Sequence, residues 1–175
     1  VPSFHRDLVA GVATGAAELH AQAGHLDVVY VPVGLGSGIC AHMAVRDLLG
    51  VGTEVVGVVA DRAPAHALSF EAGRPVSTPE ADTFVDGVAT RTPVPEAVAA
   101  MVAGAARFVR VAEEEAERSM RILWQTTHQM PEPAGAIALA GLLADTGSAP
   151  TATAAVVMTG GNCDSELVRR VVASS

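Results

Sequence analysis

Lysine is absent from this 175-residue chain. All eleven basic residues are arginine, so chemistry that bonds through a lysine amine must draw that amine from outside these residues. Aromatic side chains are scarce as well, at 3%. Val, Ala and Leu must therefore fill the core, which suits a buried parallel sheet covered by alanine-rich helices. Cys40 and Cys163 stand far apart and neither belongs to a Cys-x-x-Cys pair. That excludes a disulfide framework and a cysteine zinc site, and both thiols are expected to be small and buried. No uninterrupted apolar run approaches the ~18 to 20 residues a bilayer requires. The N-terminus has no basic-then-apolar signal pattern, so the protein is expected in the cytoplasm. Positive charge is in deficit, with a formal net charge of −8. A general affinity for nucleic acid or anionic membrane is excluded on that ground, leaving a small-molecule role. His5, His20, His25, His42, His66 and His128 show neither i,i+4 pairing nor a His-Glu-x-x-His motif, and no metal site is expected from them.

Half of the residues are hydrophobic, enough for one domain with a substantial core. Helical spacing runs from Leu8 to Ala23, followed by a β-branched run from Asp27 to Val33. A helix over Ile39–Leu49 and a second β-branched run over Glu54–Val59 complete a right-handed βαβ unit. The middle, Asp61 to Thr92, reads as loops with one short helix. A helix over Val94–Ala105, a strand over Phe108–Val111, an amphipathic helix over Glu113–His128 and a helix over Gly135–Asp145 follow. A strand over Ala154–Met158 and a helix over Asp164–Ala173 close the chain. The fold class is therefore α/β, an open and mostly parallel sheet with helices on both faces. Residues 1–175 read as a single domain without internal repeats. The acidic opening Glu113–Glu115 suits a helix dipole, and Arg169 and Arg170 are expected to complement the last helix and stay solvated.

Three segments could carry chemistry. Val31 to Gly38 reads Val-Pro-Val-Gly-Leu-Gly-Ser-Gly, a strand breaking into a glycine turn before a helix. Such a turn is either a tight connection or a cradle whose N–H groups point at an anion. It lacks the full Gly-x-Gly-x-x-Gly spacing and the Lys-Ser/Thr ending of nucleotide loops, which leaves a short phosphate monoester. Thr159-Gly160-Gly161-Asn162 ends the last strand. It reads either as a turn capped by Asn162 or Asp164, or as a hydroxyl and open backbone offered to a flat ligand. Glu132, held between Pro131 and Pro133, is either an exposed loop carboxylate or a site residue.

Taken in order, Val-Pro-Val-Gly-x-Gly-Ser, Asp82-Thr-Phe-Val-Asp86-Gly87, Glu132-Pro-Ala-Gly135 and Thr159-Gly-Gly-Asn162 resemble the C-terminal half of the fold-type II pyridoxal-phosphate enzymes. The nearest resemblance is to the threonine dehydratase and serine racemase branch of the tryptophan synthase β-like superfamily. It covers the chain from Gly11-Val-Ala-Thr14 to the last strand. The resemblance implies pyridoxal 5'-phosphate as cofactor and, in the intact protein, an ammonia-lyase converting a hydroxy-amino acid to a 2-oxo acid and ammonia. It implies that Gly34, Leu35, Gly36, Ser37 and Gly38 hold the phosphate and that Thr159 faces the pyridine nitrogen. Gly160 and Asn162 would support the ring edge, Glu132 would line the site, and Asp86 and Gly87 would support the region.

Leu35 and Ser37 interrupt what is usually a run of four glycines, and Ala60 stands near the position of an acidic metal ligand in some relatives, so no metal is expected. The Schiff-base lysine, like the smaller lobe, is expected in an N-terminal portion absent here, in keeping with a chain that opens at Val1 without a methionine. No catalytic residue is therefore expected within this chain. A homodimer is compatible with the family. The alternative is a truncated, non-catalytic relative that binds a phosphorylated ligand or a partner protein.

Overall fold

The computed structural model describes residues 4–147, 149 and 151–173. Its elements run α1 (Arg6–Ala23), β1 (Val28–Pro32), α2 (Ser37–Leu49), β2 (Glu54–Ala60), α3 (Ala65–Ala72), a 3-10 turn (Asp86–Val88), α4 (Pro95–Gly104), β3 (Arg107–Val111), α5 (Glu113–Thr127), α6 (Pro133–Ala144), β4 (Ala154–Val156) and α7 (Ser165–Ala173). The expected elements are all present, with ends moved by a few residues. Between Asp61 and Thr92 lies α3, together with the 3-10 turn.

The four strands form one sheet in the order β3-β2-β1-β4, and every pairing is parallel. Alternation along β1 divides the core. Val29, Val31 and Val33 pack with Ile39 and Met43 of α2 and with Ala97 and Met101 of α4. Val28 and Tyr30 face the other way, toward Ile137 and Ala138 of α6. Because β1 and β2 are covered on both faces, their sequences read as continuous apolar runs instead of alternating ones. Helix α6, Pro-Ala-Gly-Ala-Ile-Ala-Leu-Ala-Gly-Leu-Leu-Ala, is apolar all round for the same reason: it lies between the sheet and α5.

The amino-terminal edge of the sheet is tied by an ionic cluster. Arg107, opening β3, donates from Nε and Nη2 to Asp145 Oδ2 at 2.9 and 2.6 Å, and it also pairs with Glu54 of β2. The buried Tyr30 hydroxyl donates to the same Asp145 oxygen at 2.7 Å. Burial pushes the Asp145 carboxyl up, but the bonds from Arg107, the Gly147 N–H and Tyr30 together outweigh it and hold the group below the ordinary carboxylate range. None of this was legible in local patterning, since the partners lie up to 115 residues apart.

Chain order places β1, β2 and β3 successively in one direction and β4 on the far side of β1. The order therefore reverses between β1 and β4. In open parallel sheets that reversal leaves a crevice at the carboxyl ends of the strands, where ligands bind.

Candidate functional site

Both neighbours at the reversal end in the segments singled out from sequence. After Pro32 the Val33 N–H donates to Val58 O at 2.9 Å, holding the chain to β2 until Gly34. Beyond β4 the Val157 N–H donates to Tyr30 O at 3.0 Å, holding that strand to β1 until just before Thr159. The Gly34–Gly38 loop and the Thr159–Asn162 turn thus leave adjacent strands at the same edge. Thr159, Gly160, Gly161 and Asn162 are exposed there, as is Leu35, while Ser37 and Gly38 are half-buried.

The glycine loop is built from close approaches. Gly36 turns the chain at φ 99°, ψ 0°, a left-handed conformation that L side chains rarely adopt. A Cβ there would collide with Met101 Cε, and the Phe4 ring lies 3.9 Å from the same point. At Gly34 a Cβ would stand 2.5 Å from the Gly87 carbonyl oxygen. The 3-10 turn therefore presses on one side of the loop, and α4 and Phe4 close another. Helix α2 opens directly from Gly36 with no side-chain cap and no acidic residue in its first turn. Its first N–H groups are left for an anion, and the helix dipole adds favourable potential.

The other motifs converge on this edge through backbone contacts. The Cβ of an alanine at Gly135 would stand 1.7 Å from the Thr159 carbonyl oxygen, so the start of α6 lies directly against the turn that follows β4. Glu132, in the N-cap position of α6, donates its N–H to Gly160 O at 3.2 Å, and its carboxylate lies against the Gly160 Cα. Gly87 approaches both Ala134 and the Glu132 carboxylate. Gly34, Gly87, Glu132, Gly135 and Thr159–Gly160 thus form a chain of contacts across the edge. Glu132 is half-buried within this chain of contacts. Asn162 lies at the exposed rim of the same turn, and α7 begins only at Ser165, which leaves Asp164 directly before its first residue.

Several details depart from the sequence reading. Cys40 is buried as expected, and burial pushes its thiol up to about 11. Cys163, expected buried, is only half-buried. Partial burial and the nearby carboxylates of Asp164, Glu132 and Asp86 raise its thiol. Arg169 and Arg170 are exposed as expected, and because α7 packs on α5, Arg170 also pairs with Glu117 at 2.8 Å, while Arg169 donates to Ser165 O at 3.2 Å. The acidic opening of α5 does more than complement a dipole. Glu113 accepts from Thr83 Oγ1 at 2.6 Å and from the Phe84 N–H at 3.0 Å, and Glu115 accepts from the Ala112 N–H at 3.0 Å. Phe4, Thr90 and Glu113 were missed from the sequence because each acts on a segment distant along the chain.

A phosphate fits this arrangement. Uncapped helix N–H groups, a loop whose close contacts leave no room for side chains at Gly34 and Gly36, and a neutral strand-end hydroxyl lie on one edge. Among the described residues no group of three or more His, Cys, Asp or Glu is arranged to hold a metal ion, and no helix is long and apolar enough to cross a membrane.

Comparisons with known proteins add an independent line of observation. The profile of a family described as "Pyridoxal-phosphate dependent enzyme" matches residues 1–160. The biosynthetic L-threonine dehydratase IlvA of Salmonella typhimurium is 35% identical over 145 residues, covering 81% of this chain and 28% of that protein. A solved threonine deaminase from T.th. is 32% identical with a TM-score of 0.83, covering 89% of this chain and 58% of that one. The processed form of threonine deaminase isoform 2 from Solanum lycopersicum shares the fold at a TM-score of 0.92 and 24% identity, covering 99% of this chain and 51% of that one. The chain thus spans between about a quarter and three fifths of the length of these proteins.

Proposed function

The chain belongs to the pyridoxal-phosphate dependent enzymes, and from that premise we propose that it forms the cofactor-phosphate half of an ammonia-lyase acting on a hydroxy-amino acid of the threonine or serine type. The observation that carries the proposal is the convergence of the Gly34–Gly38 loop, Glu132 and the Thr159–Asn162 turn on one sheet edge at the strand reversal. Similarity to threonine dehydratases supports the substrate class.

Pyridoxal phosphate, when bound, supplies an electron sink for loss of the α-proton and the β-hydroxyl. The chain's own residues bind and orient. The N–H groups of Leu35 to Gly38, with the Ser37 hydroxyl, hold the phosphate. Thr159 offers the ring nitrogen a neutral hydroxyl. A hydroxyl, unlike a carboxylate, does not stabilise a protonated nitrogen, so the sink stays weak, which suits elimination of the β-substituent. Gly160 leaves the ring edge free of side-chain bulk, and Asn162 lies at the rim of the same turn. Glu132, held by its N–H to Gly160, places a carboxylate beside the cofactor edge. Asp86 and Gly87 sit on the 3-10 turn that presses the loop into shape.

The Schiff-base lysine, and with it the base for the α-proton, comes from sequence other than these 175 residues, which contain no lysine. We assign that lysine to the smaller lobe of the intact protein. The free thiols Cys40 and Cys163 support a reducing, cytoplasmic setting. Borohydride reduction of the full-length protein after loading with pyridoxal phosphate, followed by peptide mapping, tests the division of labour. The label is expected on a lysine outside this sequence, with threonine and serine turned over by the unreduced protein. Tight binding with no labelled lysine and no turnover would instead favour a non-catalytic phosphate-binding relative.

A further inference from the structure

The glycine loop is held in place by a strap that crosses the sheet edge from α5. At its origin Glu113 grips Thr83 Oγ1 and the Phe84 N–H, and the Val85 N–H in turn donates to Thr83 Oγ1 at 3.0 Å. Val85 and Val88, 0% and 2% exposed, pin the middle of the strap into the core. The Val88 N–H donates to Val85 O at 3.1 Å and the Ala89 N–H to Asp86 O at 3.0 Å, closing the 3-10 turn. The strap ends on the loop itself, where Thr90 Oγ1 donates to Gly34 O at 3.0 Å. Thr90 is half-buried, and its own N–H is occupied by Val88 O at 2.8 Å.

That last bond has a directional consequence. The Gly34–Leu35 peptide is planar and trans, so its carbonyl and its N–H point in opposite directions. Thr90 draws the Gly34 carbonyl toward the strap, and the antiparallel Leu35 N–H is thereby turned away from the strap, directly ahead of the uncapped start of α2. Anion loops of this kind depend on successive N–H groups sharing one concavity. We propose that Thr90 is a positioning residue for the phosphate site: its hydroxyl, through the Gly34 carbonyl, presents the Leu35 N–H to the anion. Glu113 keeps Thr90 in register by fixing the other end of the strap. The proposal rests on the phosphate reading of the Gly34–Gly38 loop.

The test compares pyridoxal phosphate with pyridoxal, which lacks the phosphate, as ligands of the full-length protein. Thr90→Val keeps the shape and removes the hydroxyl. It is expected to weaken pyridoxal phosphate about tenfold, the scale of one hydrogen bond to a charged group. Pyridoxal affinity is expected to stay within about twofold, because neither that bond nor its target is involved. Thr90→Ser restores the hydroxyl and is expected to recover phosphate preference. The Leu35 amide resonance supplies a second readout: inorganic phosphate shifts it in the wild type and not in Thr90→Val. A Thr90→Val protein that keeps the wild-type preference, or that loses both ligands equally, overturns the role of Thr90. A wild type that shows no preference for the phosphorylated ligand and no Leu35 shift overturns the placement of phosphate on this loop, and Thr90 with it. The two failures are distinguishable because the second appears before any substitution is made.

Discussion

Replacing Gly135 by alanine is expected to loosen the fold and release the cofactor together. Its Cβ would stand 1.7 Å from the Thr159 carbonyl oxygen and 2.8 Å from that of Gly160, so no side-chain adjustment can relieve the clash. Either the first turn of α6 retreats or the end of β4 does. Each movement breaks the bond from the Glu132 N–H to Gly160 O and displaces Thr159 from the sheet edge. Overpacking against backbone costs at least as much as the usual ~1 to 3 kcal/mol for extra core volume. The expected outcome is a loss of about 3 kcal/mol in urea unfolding, with pyridoxal phosphate affinity falling more than tenfold. Gly15→Ala is the control, since Gly15 lies within α1 and a Cβ there meets nothing within 4 Å. It is expected to be neutral or to stabilise by up to about 1 kcal/mol. Wild-type stability and binding in Gly135→Ala would contradict the close approach of α6 to β4.

Mild acid is the second large effect, and it comes from histidines remote from the site's chemistry. His42 on α2 and His66 on α3 are 5% and 1% exposed, and His42 Nδ1 and His66 Nε2 have no hydrogen-bond partner. Burial lowers both imidazoles to about 4, with His20 adding to the effect at His42. In the unfolded chain they titrate near 6.5. Between about pH 6.5 and pH 4 the unfolded chain therefore binds protons that the native state refuses. The stability due to neutral burial is complete above 6.5, falls as the pH falls through this window, and changes little more below the native values. By pH 5 the loss is roughly 2 kcal/mol for each imidazole. Urea midpoints measured at pH 7.5 and pH 5 are expected to differ accordingly, and the His42→Met/His66→Met double variant is expected to flatten the difference. A wild type whose midpoint is unchanged over that interval would contradict the neutral burial of these rings. Asp145 and Asp27, whose carboxyls are lowered in the native state, act in a separate window below about pH 4.

What could be read from the sequence was what is local. The β-branched runs at 27–33 and 54–59 identify strands covered on both faces, and the glycine turn at 34–38 identifies the loop that follows the first of them. Four motifs in a fixed order identify the family, because order over 130 residues is far more specific than any one turn. The small-residue run of α6 reads as a helix, but nothing in it says that Gly135 faces Thr159 or that Gly141 faces Val58. Those facts belong to the sheet order, in which β4 crosses to the far side of β1. The strap was hidden for a similar reason. Glu113 sits where acidic residues favour a helix dipole anyway, so its grip on Thr83, 30 residues away, left no separate mark. Thr90 lies in a stretch without periodicity, and only the contact with Gly34 gives its hydroxyl a purpose. Cys163 was expected buried by residue type, yet the loop carrying it runs along the open edge of the site.

A structure of the full-length protein with pyridoxal phosphate bound tests the central claim most directly. The account expects the phosphorus within hydrogen-bonding reach of the N–H groups of Leu35 to Gly38, the ring nitrogen facing Thr159 Oγ1, and the aldehyde carbon joined to a lysine outside these 175 residues. A phosphate lodged away from the Gly34–Gly38 loop would contradict it.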